Sequence, residues 1–221
     1  MKYFLLLIFY LNTNPFRNEK GFYDMTDTDF MNQAAVNQPI DARNPSNDLI
    51  DAALFHATNE QRIKNNLPPF SYNFLVHKAA VGHSEDMIEQ DFYNHFNPYT
   101  RRKLEDRIIN YTIEFKRMAE NIAQHDLIET GKDPYYCFLF PKGDNDFVYR
   151  DCQTKQPLQM MTYAKFARNV VNAWMNSPHH RENIIDIRYK SMACSAKFSK
   201  NPYKTKKSPF ARITQDFGGG I

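Results

Sequence analysis

One segment in the last quarter of the chain limits most strongly how the sequence can fold. Residues 174–184 read Trp-Met-Asn-Ser-Pro-His-His-Arg-Glu-Asn-Ile. Trp174 completes an apolar stripe at helical spacing. Pro178 stops that helix, because proline has no amide donor and clashes with the preceding turn. Two adjacent histidines follow, although a hydrophobic core does not need them. The segment therefore predicts a helix, a break and a further turn or two that carries histidine to a cleft.

The composition is that of a globular protein and excludes few functions. The 221 residues are 42% hydrophobic and 24% charged, which is enough for one domain with extra segments. The formal net charge of +3 is small, so nothing in the charge balance requires nucleic acid or an anionic membrane. We predict no nucleic-acid partner.

The first residues resemble a targeting signal. Lys2 precedes an apolar run over residues 3–11, which is too short to span a bilayer. We predict a signal peptide over residues 1–18 and a secreted, extracytoplasmic protein that is not integral to the membrane after cleavage. The small-x-small cleavage pattern is missing, so an uncleaved anchor and a buried strand are the alternatives.

The rest of the chain divides into an arm and a domain. Residues 19–45 are polar and irregular and predict an N-terminal arm or linker. The folded domain is predicted over 46–221, beginning at Ser46 or Asn47, either of which can cap a helix. Residues at about 126–158 are predicted to form an insertion.

Helices come early in this domain and most strands come late. Apolar spacing, capping residues and prolines predict helices from Ser46 to about Lys64, from Asn73 past Met87, at about 100–109, and from Thr162 to Pro178. Strands are predicted over 189–198 and 211–217. This order predicts an α+β fold in which helices pack on an antiparallel sheet.

The three cysteines are predicted to form one disulfide and one buried thiol. Cys137 and Cys152 flank two short aromatic runs around a Pro/Gly/Asp/Asn turn, which predicts a hairpin centred near Asp144. Such a hairpin would place the two sulfurs opposite each other, and export permits a disulfide. Cys194 lies in a strand-like run and is predicted to be a buried thiol.

Five motifs follow one another along the domain. They are His-Ser-Glu-Asp-Met at 83–87, Phe-Tyr-Asn-His at 92–95, Ala-Glu-Asn-Ile-Ala at 119–123, residues 174–184, and Thr-Gln-Asp-Phe at 214–217. With these motifs in this order, the chain resembles the CAP superfamily of cysteine-rich secretory proteins, insect antigen 5 and plant pathogenesis-related proteins, in the bacterial-type form with an SCP-like extracellular domain. The resemblance implies an α-β-α sandwich, with helices on both faces of a central antiparallel sheet.

The resemblance also implies a cleft. His95 and His180 correspond to the two family histidines and Glu120 to the first family acid, while Ser177 stands where the second acid is found. Two imidazoles and one carboxylate are the minimal ligands of a catalytic-type zinc site, so a divalent metal at these three residues is one hypothesis. A hydrogen-bonded network of the same side chains is the other. Gln215 is predicted to reach the cleft floor or to hold the sheet.

Three functions fit this sequence. The first is a secreted binding or interaction module without its own reaction, with lipid, sterol, a cell-envelope component or a protein as partner. The second is a metal-dependent hydrolase, such as a protease, with zinc in the cleft. The third is an exported scaffold. No cofactor is certain, and whether the chain is an enzyme stays open at this point.

Overall fold

The computed structural model describes residues 21–130, 136–139, 148–200 and 208–220, with only the backbone described for 136–139 and 148. Six helices and six strands are numbered within this part of the chain. The helices are α1 (Asp27–Met31), α2 (Asn47–Lys64), α3 (Phe74–Glu89), α4 (Leu104–Ile109), α5 (Tyr163–Asn176) and α6 (Pro178–Ile185). The strands are β1 (Ser71–Tyr72), β2 (Arg117–Asp126), β3 (Tyr136–Leu139), β4 (Val148–Asp151), β5 (Tyr189–Phe198) and β6 (Phe210–Gly219).

The central sheet has the strand order β1-β5-β6-β2. The two-residue β1 pairs parallel with β5, and the other two pairings are antiparallel. The β2–β6 ladder runs without a break from Arg117 opposite Gly219 to Asp126 opposite Phe210. This long register fixes Glu120 opposite Asp216, which determines the chemistry of the site below.

Helices cover both faces of this sheet, as predicted. Alternate residues of a strand point to opposite faces. Cys194 of β5 lies in the larger core with residues of α2 and α5, whereas the neighbouring Ala193 lies in a second core with Val76 of α3 and Ile108 of α4. The layers are therefore helix, sheet and helix, and the predicted α-β-α sandwich is confirmed.

Three helix starts were predicted correctly because each has a side-chain cap. Ser46 caps α2 by accepting a hydrogen bond from the amide of Leu49. Asn73 does the same for α3, and Thr162 for α5. Each cap satisfies an amide donor that has no partner inside its own helix.

The prediction that residues 19–45 form a polar arm is wrong for the described residues. Phe30, Val36 and Ile40 are at most 1% exposed and belong to the larger core. Phe30 stacks on the ring of His56, at a centroid distance of 4.4 Å, and Asp27 binds His56 Nδ1 at 2.7 Å. A few well-spaced apolar residues bury this segment although its average composition is polar, so the folded part begins well before Ser46.

Two further elements differ from the predictions. α4 begins at Leu104 instead of about residue 100, because the Lys103 amide donates to Asp106 and so marks the start of the helix. β2 was not predicted as a strand, since Asn121, Gln124 and the charged residues at its ends hide any simple alternation.

The predicted aromatic hairpin is present as β3 and β4, although its register is shifted. Cys137 pairs with Arg150, and the two-stranded sheet is separate from the central one. Cys152 is disulfide-bonded and Cys194 is a buried free thiol. The Cys137 side chain lies outside the described residues, so its pairing with Cys152 stays a prediction, as do the limits of the 126–158 insertion.

The predicted signal peptide, residues 1–18, also lies outside the described residues. Within the part that is described, no helix combines the length and the apolar character needed to cross a bilayer.

Candidate functional site

The site is organised around one buried carboxylate. The side chain of Glu120, on β2, is 3% exposed. His95 Nδ1 lies 2.8 Å from Glu120 Oε1, and the Arg107 guanidinium donates to Oε2. A buried carboxylate without partners would be strongly destabilising, and here each oxygen has one. Glu120 therefore ties the His95 loop and α4 to the sheet.

His95 presents an imidazole at the surface from a constrained loop. Its side chain is 54% exposed, although Nδ1 is held by Glu120. The backbone carbonyl of His95 also accepts a hydrogen bond from Arg107 Nη1, at 3.1 Å. Arg107 therefore holds both Glu120 and the loop that carries His95. With Nδ1 donating to the carboxylate, Nε2 of His95 is left as an acceptor toward solvent.

Two more titratable groups lie beneath Glu120. His83 of α3 is fully buried, with Nε2 3.0 Å from the Asn94 carbonyl and 4.0 Å from Glu120 Oε2. Asp216 of β6 is also fully buried and lies opposite Glu120 in the antiparallel register. Opposed residues in such a pair project to the same face of the sheet. The cleft thus has a buried ionisable layer that the sequence did not predict.

Burial and neighbouring charges determine which groups in this buried layer are ionised. Burial and the negative charge of Glu120 raise the pKa of Asp216 well above its usual value, so Asp216 holds a proton. Burial alone would also raise the pKa of Glu120, but the His95 hydrogen bond and the Arg107 charge outweigh it and lower that pKa. Burial lowers the pKa of His83, which favours its neutral form. In this pair, Glu120 is therefore ionised and Asp216 is protonated.

His180 lies on the other side of the cleft, at the start of α6. Its Nδ1 is 2.9 Å from Ser177 Oγ, so Ser177 orients the ring from the position where the family has an acid. Burial lowers the pKa of His180, with further lowering by the charges of His95 and His179. His179 itself is exposed. The imidazole of His180 is thus favoured in its neutral form near neutral pH.

Buried polar side chains fix α6 against the sheet. Asn121, next to Glu120 on β2, donates to the His180 carbonyl at 3.1 Å and accepts from Asn183 at 2.9 Å. Arg62 of α2 donates to the Ile184 carbonyl at 3.0 Å, at the far end of α6. These contacts dock α6 on the β2 edge of the sheet through Asn121, whose side chain points to the face opposite that of Glu120.

Gln215 supports the sheet and does not line the cleft. Its side chain is fully buried, donates to Thr58 Oγ1 at 2.8 Å and accepts from Asn121 at 2.9 Å. Of the two roles predicted for Gln215, reaching the cleft floor and holding the sheet, the contacts correspond to the second. Gln215 acts on the cleft only through Asn121, which carries the contact to His180.

The predicted metal ligands His95, His180 and Glu120 do not fit a metal ion in this arrangement. Both oxygens of Glu120 already accept hydrogen bonds, and the Arg107 guanidinium puts a positive charge where a cation would bind. No group of three or more His, Cys, Asp or Glu side chains in the described ranges is arranged to hold a metal ion. Of the alternative prediction, a hydrogen-bonded network of the same side chains, the structure contains the His95–Glu120 bond, whereas the His180 imidazole bonds Ser177.

Arg107, Asp216 and His83 are the site residues that the sequence reasoning missed. A signal existed for two of them. A buried Glu120 requires a cation or donor nearby, and Arg107 was the basic residue on the apolar side of the predicted third helix. Asp216 lies two residues after Thr214 in a predicted strand, so the side chains of these two residues point to the same face of the sheet. His83 lies in the first of the five motifs, and its Nε2 contacts the Asn94 carbonyl.

The fold and the site together define a helix-sheet-helix domain with a histidine and carboxylate cleft at one sheet edge. The family model of the cysteine-rich secretory protein family, CAP, matches residues 55–217. The chain belongs to this family.

Relatives in several bacteria share parts of the chain. It is 27% identical over 132 residues to the uncharacterized protein YkwD of Bacillus subtilis, a match that covers 60% of this chain and 36% of the relative. The chain therefore spans about a third of the length of that relative.

Among solved structures, an outer surface protein of Borrelia burgdorferi is 17% identical with a TM-score of 0.53, covering 84% of this chain and 99% of that one. An extracellular SCP-domain protein of Bacillus anthracis is 19% identical with a TM-score of 0.49, covering 79% and 41%. At 17% identity, the likeness to the Borrelia burgdorferi protein supports the fold alone.

Proposed function

We propose that this protein is an extracytoplasmic binding module, and that its cleft between His95 and His180 takes a ligand without carrying out a reaction. The observation that carries the proposal is the double engagement of Glu120 by His95 and Arg107. A carboxylate with both oxygens occupied in a buried site is a poor general base and a poor metal ligand. It is well suited to hold a binding surface in place.

The cleft supports an uncharged amphipathic ligand, such as a sterol or another lipid with a hydroxyl group. His95 and His180 offer imidazole nitrogens that can exchange hydrogen bonds with a hydroxyl. The loop of His95 also carries Tyr93, whose side chain is 49% exposed while its hydroxyl donates to the Ile122 carbonyl. Tyr93 thus provides apolar ring surface close to polar groups, which is the usual makeup of a small-molecule site.

The extracytoplasmic location is part of the proposal. It is supported by the predicted signal peptide and by the disulfide at Cys152, since disulfides persist in oxidising compartments. The printed descriptions of the Borrelia and Bacillus anthracis proteins, as an outer surface and an extracellular protein, agree with it.

The metal-dependent hydrolase is the second candidate, and no contact in the described residues favours it. That function would need a metal ion to replace the Arg107 guanidinium as the partner of Glu120. It would also need a general base, and Asp216 cannot serve because it is fully buried and protonated.

The test is binding of the full chain to phosphatidylcholine vesicles with and without cholesterol, in the presence of EDTA. We expect cholesterol-dependent binding that weakens in His95→Asn and His180→Ala and persists in His179→Ala, the matched control on the exposed neighbour. His95→Asn keeps a donor for Glu120 and so protects the fold. Binding that all three variants retain, or a hydrolytic activity that EDTA and His180→Ala both abolish, would overturn the proposal.

A further inference from the structure

We propose that a cavity between α3 and α4, which shares Arg107 with the support of the cleft, binds a small oxyanion of the phosphate class. The cavity has a volume of about 110 Å³. On the scale of about 30 Å³ for each water, it holds three to four waters, which is enough for a tetrahedral oxyanion. Its lining residues are Lys78, Ala79, Gly82, Asp86, Arg102, Arg107, Asn110 and Tyr111.

The charge of the lining favours an anion. Lys78, Arg102 and Arg107 are cationic, against one carboxylate, Asp86. Within the described ranges, neither Lys78 nor Arg102 lies in ion-pair contact with an acid. Both oxygens of Asp86 accept hydrogen bonds from neutral amides, from Gln90 at 3.1 Å and from Asn97 at 2.8 Å. Lys78 and Arg102 thus add positive charge to the cavity without an ion pair to a described carboxylate.

The inner wall also carries an unsatisfied buried donor. Arg107 is 5% exposed, and its Nη1 and Nη2 are used by the His95 carbonyl and by Glu120. Its Nε is buried and has no hydrogen-bond partner. Buried donors are nearly always paired, and a guanidinium presents its N–H groups in a fixed plane suited to oxyanions. An oxyanion bound against this wall is the kind of acceptor that Arg107 Nε lacks.

Gly82 keeps the cavity open on the α3 side. A Cβ at this position would meet no heavy atom within 4 Å, so no packing contact requires a glycine here. Glycine inside a helix costs about 1 kcal/mol relative to alanine. The absent side chain leaves space beside Lys78 and Asp86, which lie one helical turn away on either side.

The same oxyanion chemistry could come from a free anion or from a lipid headgroup. Two aromatic residues border the Lys78 side of the cavity: Phe74 is 39% exposed and Tyr111 45%. The Lys78 ammonium lies 4.8 Å from the centre of the Phe74 ring and 5.9 Å from that of Tyr111. A phospholipid would place its headgroup near the cations and its chains near these side chains, so both sources belong in the test.

The experiment measures binding of the full chain to two probes. Inorganic phosphate is titrated by calorimetry, and phosphatidylglycerol vesicles are compared with phosphatidylcholine vesicles by co-sedimentation. The test variant is Lys78→Met with Arg102→Met. The matched control is Lys64→Met with Lys190→Met, which removes the same charge from exposed positions outside the cavity. A third variant, Asp86→Asn, removes the one acid of the lining.

We expect at least one probe to bind, with affinity falling about tenfold or more in the test variant, as two charge-assisted contacts warrant. The control should change affinity much less, and Asp86→Asn should bind more tightly. His95→Asn should leave this binding unchanged, which separates the oxyanion site from the cleft. Absence of binding to both probes, an equal loss in the control, or weaker binding by a folded Asp86→Asn variant would each overturn the proposal.

Discussion

Glu120 and Asp216 lie directly opposite each other on β2 and β6, and both carboxyl groups are buried on the face that α4 covers. Neither Asp216 oxygen receives a hydrogen bond from another described group. Two adjacent buried carboxyl groups do not ionise together, since the second charge would have neither water nor a counter-ion. The proton therefore resides on Asp216, which can donate to Glu120, and Arg107 neutralises the remaining charge.

Asp216→Asn tests this proton directly. Because burial and Glu120 raise the pKa of Asp216, its contribution to stability is complete below the unfolded pKa and is lost as the pH rises toward the folded one. Above the unfolded pKa of about 4, the wild type should lose stability relative to the variant, by up to about 1.4 kcal/mol per pH unit until the folded pKa is passed. Urea denaturation of both proteins across this range measures the difference.

Asp51→Asn is the control for that experiment. Asp51 is equally buried, but its oxygens accept from the Ala196 amide at 2.7 Å and from His77 at 2.9 Å. Its loss should destabilise the fold by about 1–3 kcal/mol at neutral pH, because it weakens bonds made to a charged group. A constant, destabilising effect of Asp216→Asn at every pH would show that Asp216 is ionised.

Removing Arg107 and Glu120 together should destabilise the protein by clearly less than the sum of the two single removals. Arg107→Met leaves Glu120 buried without its cation, which should destabilise the protein by about 3–5 kcal/mol. In the double variant with Glu120→Met no buried charge is left over, so the loss should be at least about 2 kcal/mol smaller than the sum of the single losses. Denaturant unfolding of the four proteins gives this coupling.

The surface pair of Arg188 and Asp186 provides the comparison. The Arg188 side chain is 60% exposed, and Arg188→Met should destabilise the protein far less than Arg107→Met. Additive effects at Arg107 and Glu120 would mean that the two side chains do not form the buried pair described here.

His180 should titrate below an ordinary histidine. Burial lowers its pKa first, and the charges of His95 and His179 lower it further. His179→Ala removes one of these charges and should raise the pKa of His180, without returning it to the free value of about 6.5. NMR titration of the imidazole nitrogens measures both proteins. A wild-type value at or above that of free histidine would contradict the burial of the ring.

Cys194 should not react in the folded protein. It is fully buried, and burial raises the pKa of its thiol well above the usual value, whereas alkylation requires an exposed thiolate. Iodoacetamide at pH 8 followed by mass spectrometry should show labelling only after denaturation. Stoichiometric labelling of the native protein would show that β5, and with it the core beneath α2, is not arranged as described here.

The sequence predicted the parts of the fold that depend on local signals. Ser46, Asn73 and Thr162 each cap their own helix, and Pro178 begins a new one, so these boundaries follow from neighbouring residues. The burial of Phe30 depends on its contact with His56, which is distant in the chain. Average composition could not reveal that contact, and the N-terminal segment was therefore misassigned.

The same distinction applies to the site. The family motifs predicted His95, Glu120 and His180, and the structure brings the first two into direct contact. Arg107 and Asp216 could not be placed without the sheet register and the docking of α4, which depend on contacts between distant segments. Those two residues change the interpretation from a metal centre to a closed hydrogen-bonded network.

The most direct test of the account is a titration of the full chain with zinc chloride by calorimetry, with His95→Ala as the comparison. If Arg107 holds Glu120 as described, the wild type should show no stoichiometric zinc site, and the variant should give the same heats. One tightly bound zinc per chain, lost in His95→Ala, would contradict the account and favour the hydrolase.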